Sequence, residues 1–293
     1  MKKIFVLLTI FSTLAFTKVH VVVTYPYLNK IVQAIGGDNV KVRTLASAKL
    51  DPHFIIPKPS LIPAITKADM LVVNGAGLEI GWLPPLLKSA NNPNIRIGFN
   101  AFVDVSRAIT LMNVPKSVSR AYGDIHPEGN PHFDTDPHNV LPIAKLIAKK
   151  LSQIDVSHAN TYANNLQSFI YKWKLFLHTF DTKMKVCKGT KVIQYHQLYN
   201  YLLKRYGIYS MANIEPLPGI TPSSRYTLEL IEKIKLSHIK TILQDPYHEK
   251  KTAKFIAAKT GAKVVVLPHD VGSISGTNTL EDFYNTIAKR LCP

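Results

Sequence analysis

The chain has 293 residues, of which 46% are hydrophobic, so it is long enough for two modest domains and too apolar to be disordered. Its formal net charge is +17, but the lysines are scattered and do not alternate with aromatic residues, which argues against a nucleic-acid-binding surface. The only cysteines are Cys187 and Cys292, too few for a zinc site built on thiolates.

The first seventeen residues are typical of an export signal. Lys2 and Lys3 precede an unbroken apolar run that extends to Phe16 and has small residues near its end. The run is too short to span a bilayer as a helix, and no later segment reaches the required length. Because no cysteine follows the run, no lipid anchor is expected. We therefore expect residues 1–17 to be removed, and the mature chain to be a periplasmic monomer without stable membrane insertion.

Short apolar strands alternate with amphipathic helices in both halves of the chain. The strands predicted for the first half are Val19–Thr24, Val40–Leu45, Met70–Asn74 and Ile95–Phe99. Those predicted for the second half are Val192–Tyr195, Tyr209–Ile214, Lys240–Gln244 and Lys263–Leu267. The intervening helices are predicted at Pro59–Ala68, Leu198–Tyr206, Pro222–Leu236 and Glu249–Thr260. Strands that alternate with helices form parallel sheets covered on both faces, so the predicted class is α/β with two lobes, residues 18–153 and 186–293.

A linking helix is predicted between the lobes, within residues 154–185. From Val156 to Lys185 the chain contains neither proline nor glycine, and large apolar residues recur at helical spacing. A helix of about thirty residues is about 45 Å long, enough to brace both lobes and to restrict hinge motion.

Four residues that can bind a metal lie where the predicted sheets end. His53 follows the second strand, and His132 lies in a loop before a predicted helix. His196 follows the first strand of the second lobe directly, and Asp270 follows the last strand. Ligands of open parallel sheets bind outside the carboxyl ends of strands, so the four can converge between the lobes. Three neutral imidazoles and one carboxylate form a suitable tetrahedral set for zinc.

Three other residues are candidates for supporting roles. His269 is the rival of its neighbour Asp270 for the fourth ligand position. His126 lies close to His132 in sequence and belongs either to a weak accessory or capture site or to an ordinary polar loop. Glu79 either accepts a hydrogen bond from a ligand histidine or is a solvated loop carboxylate.

Several motifs resemble the zinc and manganese solute-binding proteins of ABC transporters. In chain order they are Asp51-Pro52-His53, the segment from Lys67 to Gly75, Gly77-Leu78-Glu79, Pro131-His132 with Asp136-Pro137, His196 with Lys204 to Ile208, and Thr260 to Val264 with Asp270. The resemblance covers nearly the whole mature chain in the family's order. It implies two α/β lobes, one rigid backbone helix, a single metal at their interface and a membrane permease as partner. The metal ligands that the resemblance implies for this chain are His53, His132, His196 and Asp270.

Zinc is the expected metal, because a histidine at the third ligand position favours zinc and manganese prefers more oxygen ligands. The stretch from Asn113 to Asn130 lacks the long His-rich loop of many zinc-specific members, so manganese is the alternative. A zinc hydrolase and a binder of an organic metal chelate are alternatives of other classes. No His-Glu-x-x-His segment is present, and four protein ligands leave no open position for catalysis, so no enzyme is expected. In an exported protein, Cys187 and Cys292 are expected to form a disulfide.

Overall fold

The computed structural model describes residues 18–115 and 126–293, and the predicted export signal lies outside these ranges. Within them, no helix combines the length and the apolar character that are needed to cross a membrane. The described chain forms two lobes, each built on a four-stranded parallel sheet, which confirms the predicted fold class.

The first lobe is built on a sheet with the strand order β2-β1-β3-β4. Its strands are β1 (Val19–Val23), β2 (Val40–Thr44), β3 (Met70–Val73) and β4 (Phe102–Asp104). Its helices are α1 (Pro26–Gly36), α2 (Ile62–Thr66), α3 (Leu83–Ala90) and α4 (Val140–Ile154). The central strands β1 and β3 are almost continuously apolar and buried, as strands covered on both faces must be.

The second lobe repeats this arrangement with the strand order β6-β5-β7-β8. Its strands are β5 (Lys191–Gln194), β6 (Tyr209–Asn213), β7 (Thr241–Gln244) and β8 (Lys263–Val266). Its helices are α6 (Asn200–Arg205), α7 (Ser224–Leu236), α8 (Lys251–Thr260) and α9 (Leu280–Leu291). All strand pairs in both sheets are parallel, so the carboxyl ends of each sheet share one edge.

One predicted strand, Ile95–Phe99, is wrong. Ile95 ends a short 3-10 helix, and the fourth strand of the sheet follows later, at Phe102–Asp104. The alternation of Ile95, Ile97 and Phe99 resembles a strand, but Ile97 and Phe99 are exposed and therefore do not face a core.

The linking helix α5 (Ala159–Met184) is extended at both ends by 3-10 turns, so the helical segment runs from Val156 to Cys187. It packs on α1 and α4 of the first lobe and on α9 of the second. Trp173 of α5 donates its indole N–H to the carbonyl of Pro137 at 2.9 Å, and its ring meets that of Tyr284 of α9 at 5.8 Å. The helix therefore braces both lobes.

A disulfide joins Cys187, just after α5, to Cys292, just after α9. It confirms the predicted pairing, which ties the final helix to the start of the second lobe. One continuous apolar cluster extends from β1 through α4 and α5 to α9. A second, smaller cluster lies between β5, β7, α7 and α8.

Candidate metal centre

Three of the four predicted ligands lie together where the two lobes meet. The ring centroids of His53 and His132 are 5.0 Å apart, those of His53 and His196 are 5.3 Å apart, and those of His132 and His196 are 5.1 Å apart. One ring nitrogen from each lies within 4.8 Å of the other two. The first lobe supplies His53 and His132, and the second lobe supplies His196.

The spacing of these rings fits a metal of zinc's size. With zinc–nitrogen distances of about 2.0–2.1 Å and tetrahedral angles, two ligand nitrogens lie about 3.4 Å apart and two ring centroids about 5 Å apart. The Nε2 atoms of His132 and His196 are 3.2 Å apart, and the three centroid distances lie between 5.0 and 5.3 Å. The spacings of the three rings therefore match those expected for a tetrahedral shell.

His53 is held by the turn that contains Asp51. The Asp51 carboxylate accepts the backbone N–H of His53 at 2.9 Å and lies 2.7 Å from its Nδ1. Burial raises the pKa of Asp51, but the hydrogen bonds and the charge of His53 together outweigh burial, so the net pKa is lowered. A carboxylate on Nδ1 directs Nε2 towards the metal. That Nε2 is buried and has no hydrogen-bond partner among the described residues.

His196 is held by a second carboxylate, Glu215, which follows β6 beside β5. The Nδ1 of His196 lies 2.8 Å from Glu215 Oε2, and the Nε2 of His248 lies 3.3 Å from Glu215 Oε1. His248 in turn lies 2.7 Å from Asp245 through its Nδ1. Burial opposes the charge on Glu215, but hydrogen bonds from His196 and His248 lower its pKa to about 2. Burial opposes the charge on His248 too, yet the bonds to Asp245 and Glu215 raise its pKa to about 10.

His132 is the most buried of the three, with 2% of its surface exposed. Its backbone N–H donates to the Oδ1 of Asn130 at 2.8 Å, and its carbonyl accepts the hydroxyl of Thr135 at 2.9 Å. Burial, and then the proximity of His53 and His196, lower the pKa of His132. Burial also lowers the pKa of His196, although Glu215 opposes this shift. Both imidazoles are therefore kept neutral, which is the form that binds a metal.

Asp270, the predicted fourth ligand, lines a cavity together with His132 but is not part of the histidine cluster. The group of ligand atoms within 4.8 Å of one another contains His53, His132 and His196 without Asp270. The Asp270 Oδ1 accepts the backbone N–H of Tyr27 at 2.9 Å and that of Val271. Burial, and then the charge of Asp134, raise the pKa of Asp270. The carboxylate therefore joins α1 to the loop after β8.

The residues predicted to have supporting roles lie in three different environments. Glu79 is buried and accepts hydrogen bonds from the hydroxyl of Thr24 at 2.8 Å and from the backbone N–H of Asn74 at 2.7 Å. It is therefore not a solvated loop carboxylate, and it holds the ends of β1 and β3 rather than a histidine. His269 is buried, with its ring 4.7 Å from that of Tyr247. His126 lies beside His53, with their centroids 5.2 Å apart.

Sequence reasoning missed Asp51, Glu215 and His248 as supporting residues. Glu215 follows a strand next to the strand that ends before His196, so the rule that located His196 also applies to it. Asp51 lies two residues from His53, close enough for its carboxylate to reach the imidazole. The sequence contained a signal for both carboxylates, since ligand histidines normally have such a partner.

Comparison with known proteins identifies a matching family and several relatives. The family model described as "Zinc-uptake complex component A periplasmic" matches residues 21–291. The zinc-binding lipoprotein AdcA of Streptococcus pneumoniae is 22% identical over 281 residues, covering 94% of this chain and 54% of that protein. The chain thus spans about half the length of AdcA. The iron-binding protein YfeA of Yersinia pestis is 25% identical over 251 residues, covering 84% of this chain and 75% of that protein.

Solved structures share the two-lobed fold. A zinc-bound ZnuA deletion mutant superposes with a TM-score of 0.77 at 25% identity, covering 94% of this chain and 99% of that chain. The protein FpvC of Pseudomonas aeruginosa, in complex with Mn²⁺, has a TM-score of 0.78 at 22% identity, covering 94% and 96% of the two chains. At 22% identity, the similarity to FpvC shows the fold alone. The ZnuA mutant holds zinc and FpvC holds Mn²⁺, so the metals bound by these two proteins differ.

Proposed function

Because this chain belongs to the family of periplasmic zinc-uptake component A proteins, we propose that it captures one zinc ion between its lobes and delivers it to an ABC permease. Its motifs predicted this membership. The family consists of solute-binding proteins of metal ABC transporters, so the chain is not an enzyme, and the metal is its cargo. The observation that supports the proposal is the convergence of His53, His132 and His196 at tetrahedral spacing.

Zinc is preferred over manganese because the site is rich in nitrogen. Manganese favours carboxylate, carbonyl and water oxygens, whereas imidazole suits zinc. The carboxylates of Asp51 and Glu215 lie behind the imidazoles, on Nδ1, and therefore add negative charge without adding oxygen ligands. This arrangement raises the basicity of the ligand nitrogens and fixes their orientation.

The site also suggests how the chain works as a carrier. Both lobes of one chain contribute ligands, so we propose that it acts as a monomer. Proteins of this kind work with a membrane permease, and the chain is proposed to meet its permease in the periplasm after its export signal is removed. Since α5 braces both lobes, release is proposed to begin with displacement of the loops that carry the ligands rather than with wide opening of the lobes.

Metal competition tests the proposal. The mature protein, stripped with chelator, is offered zinc and manganese together, and bound metal is counted by mass spectrometry. We expect one zinc per chain, lost in His132→Ala and retained in the control His178→Ala, which removes an exposed histidine of α5. Binding of one manganese would overturn the choice of metal. Absence of tight metal would overturn the site itself and favour an organic chelate as the ligand.

A further inference from the structure

We propose that His126 is the fourth zinc ligand, so that four imidazoles close the shell. The inference rests on the proposed function, because it concerns the same ion. The proposal gives His126 the fourth ligand position, which the sequence motifs give to Asp270. His126 is the single histidine between Asn113 and Asn130.

The position of the His126 ring fits a fourth ligand that is close to the shell. Its centroid lies 5.2 Å from that of His53, within the range seen among the three clustered histidines. Its centroid lies 6.4 Å from that of His132, which exceeds the tetrahedral spacing of about 5 Å by about 1.4 Å. His126 is not in the group whose ligand atoms lie within 4.8 Å of one another, so its side chain must move towards the cluster to bind the ion.

The orientation of the ring supports the same role. The Nδ1 side of His126 faces Gly77, whose carbonyl accepts its hydrogen bond. Gly77 has a φ of +77°, and a Cβ there would lie 3.4 Å from the His126 Nδ1, so this side of the ring lies against the Gly77 backbone. The opposite nitrogen, Nε2, is therefore the one available to a metal.

Two neighbouring rings present the same unsatisfied atom. The Nε2 of His126 and that of His53 are both buried without a hydrogen-bond partner among the described residues. Leaving a buried polar group unsatisfied is unfavourable, so such a pair calls for an ion that accepts both lone pairs.

Asp270, like His126, lies outside the group of ligand atoms within 4.8 Å of one another. Its Oδ1 accepts the backbone N–H groups of Tyr27 and Val271, which hold the carboxyl group in the loop after β8. His126 also lies between two open cavities of about 280 and 670 Å³, both of which it lines. It is therefore the ligand on the solvent side, where an ion would enter and leave.

Three variants of the mature protein test the assignment: His126→Ala, Asp270→Asn and the control His178→Ala. Zinc affinity is measured by competition with a chromophoric chelator. We expect His126→Ala to weaken zinc binding by at least about tenfold, and Asp270→Asn and His178→Ala to stay within twofold of the wild type. A loss in Asp270→Asn with no change in His126→Ala would overturn the proposal.

A second measurement uses the unmodified chain, so a folding defect of a variant cannot obscure the result. Long-range ¹H–¹⁵N correlation of histidine rings reports each nitrogen that binds zinc. Four zinc-shifted Nε2 signals are expected, and the fourth should be absent from the spectrum of His126→Ala. Three signals in the wild type would overturn the assignment of His126 while leaving the proposed function intact. Failure of the wild type to bind zinc would instead overturn the proposed function.

Discussion

Replacing Glu215 by Gln should weaken zinc binding without removing any metal ligand. Glutamine keeps the shape of the side chain but loses the charge that holds His196 through Nδ1 at 2.8 Å. Its amide also cannot accept a hydrogen bond at both ends, so the bond to His248 is lost. Loss of the carboxylate behind a ligand histidine typically costs 10–100-fold in affinity, or about 1.4–2.7 kcal/mol.

The same substitution should destabilise the metal-free protein. The pKa of Glu215 is about 2 in the folded chain against an ordinary value of 4.5, and this difference corresponds to about 3 kcal/mol. Because the pKa of the folded state is lowered, the stabilisation is complete above pH 4.5 and is lost as the pH falls towards 2. We therefore expect Glu215→Gln to lower the free energy of unfolding by about 2–3 kcal/mol at pH 7 and by little at pH 2.

Chelator competition at pH 7 measures the loss of affinity, and urea unfolding of the metal-free chain measures the loss of stability. The matched control is Glu229→Gln, because the side chain of Glu229 is 61% exposed and pairs only with Arg225 among the ion pairs of the described residues. The control should leave both quantities near the wild-type values. If Glu215→Gln binds zinc as tightly as the control does, the carboxylate does not support His196 in the way that its geometry suggests.

Three further predictions concern the scaffold and the protonation of the ligands. Replacing Cys187 and Cys292 by alanine should cost about 2–5 kcal/mol, since their disulfide closes a long loop; an unchanged urea midpoint relative to the oxidised wild type would contradict this. Burial lowers the pKa of His132 and of His196, so zinc affinity should be nearly constant from pH 8 to 7 and should fall towards pH 5. A buffered competition series measures this dependence, and a tenfold loss of affinity between pH 8 and 7 would refute the prediction. Tyr284→Phe removes a 2.6 Å hydrogen bond from α9 to the carbonyl of Asp134. This variant should lower the unfolding free energy by about 1 kcal/mol and leave the zinc stoichiometry unchanged. Loss of bound zinc would show that this contact shapes the site.

The fold was largely predictable from sequence because each strand is short, apolar and separated from the next by a helical pattern. The exception shows the limit of this approach. Ile95, Ile97 and Phe99 alternate as a strand does, but alternation alone does not show whether a core is present on either side. The true strand, Phe102–Asp104, spans only three residues and carries too little pattern to be recognised.

The candidate site was predictable to the extent that strand ends determine it. Topology implies that each of His53 and His196 lies beyond the carboxyl end of its own sheet, and the packing of the two lobes brings them together. The position of Asp270 depends on a hydrogen bond from the backbone of Tyr27, 243 residues away in sequence, to its Oδ1. The position of His126 depends on where its loop lies against Gly77. Neither contact leaves a local pattern in the sequence.

The continuous apolar cluster that crosses α5 has a consequence for how the protein melts. Although the chain has two sheets, this shared core makes them one cooperative unit, so heating should give a single main transition rather than one for each lobe. Zinc at 1,000 times its dissociation constant should stabilise that whole unit by about 4 kcal/mol. The separate cluster beneath α7 and α8 does not share the common core, so its backbone amides should be the first in the second lobe to exchange with solvent.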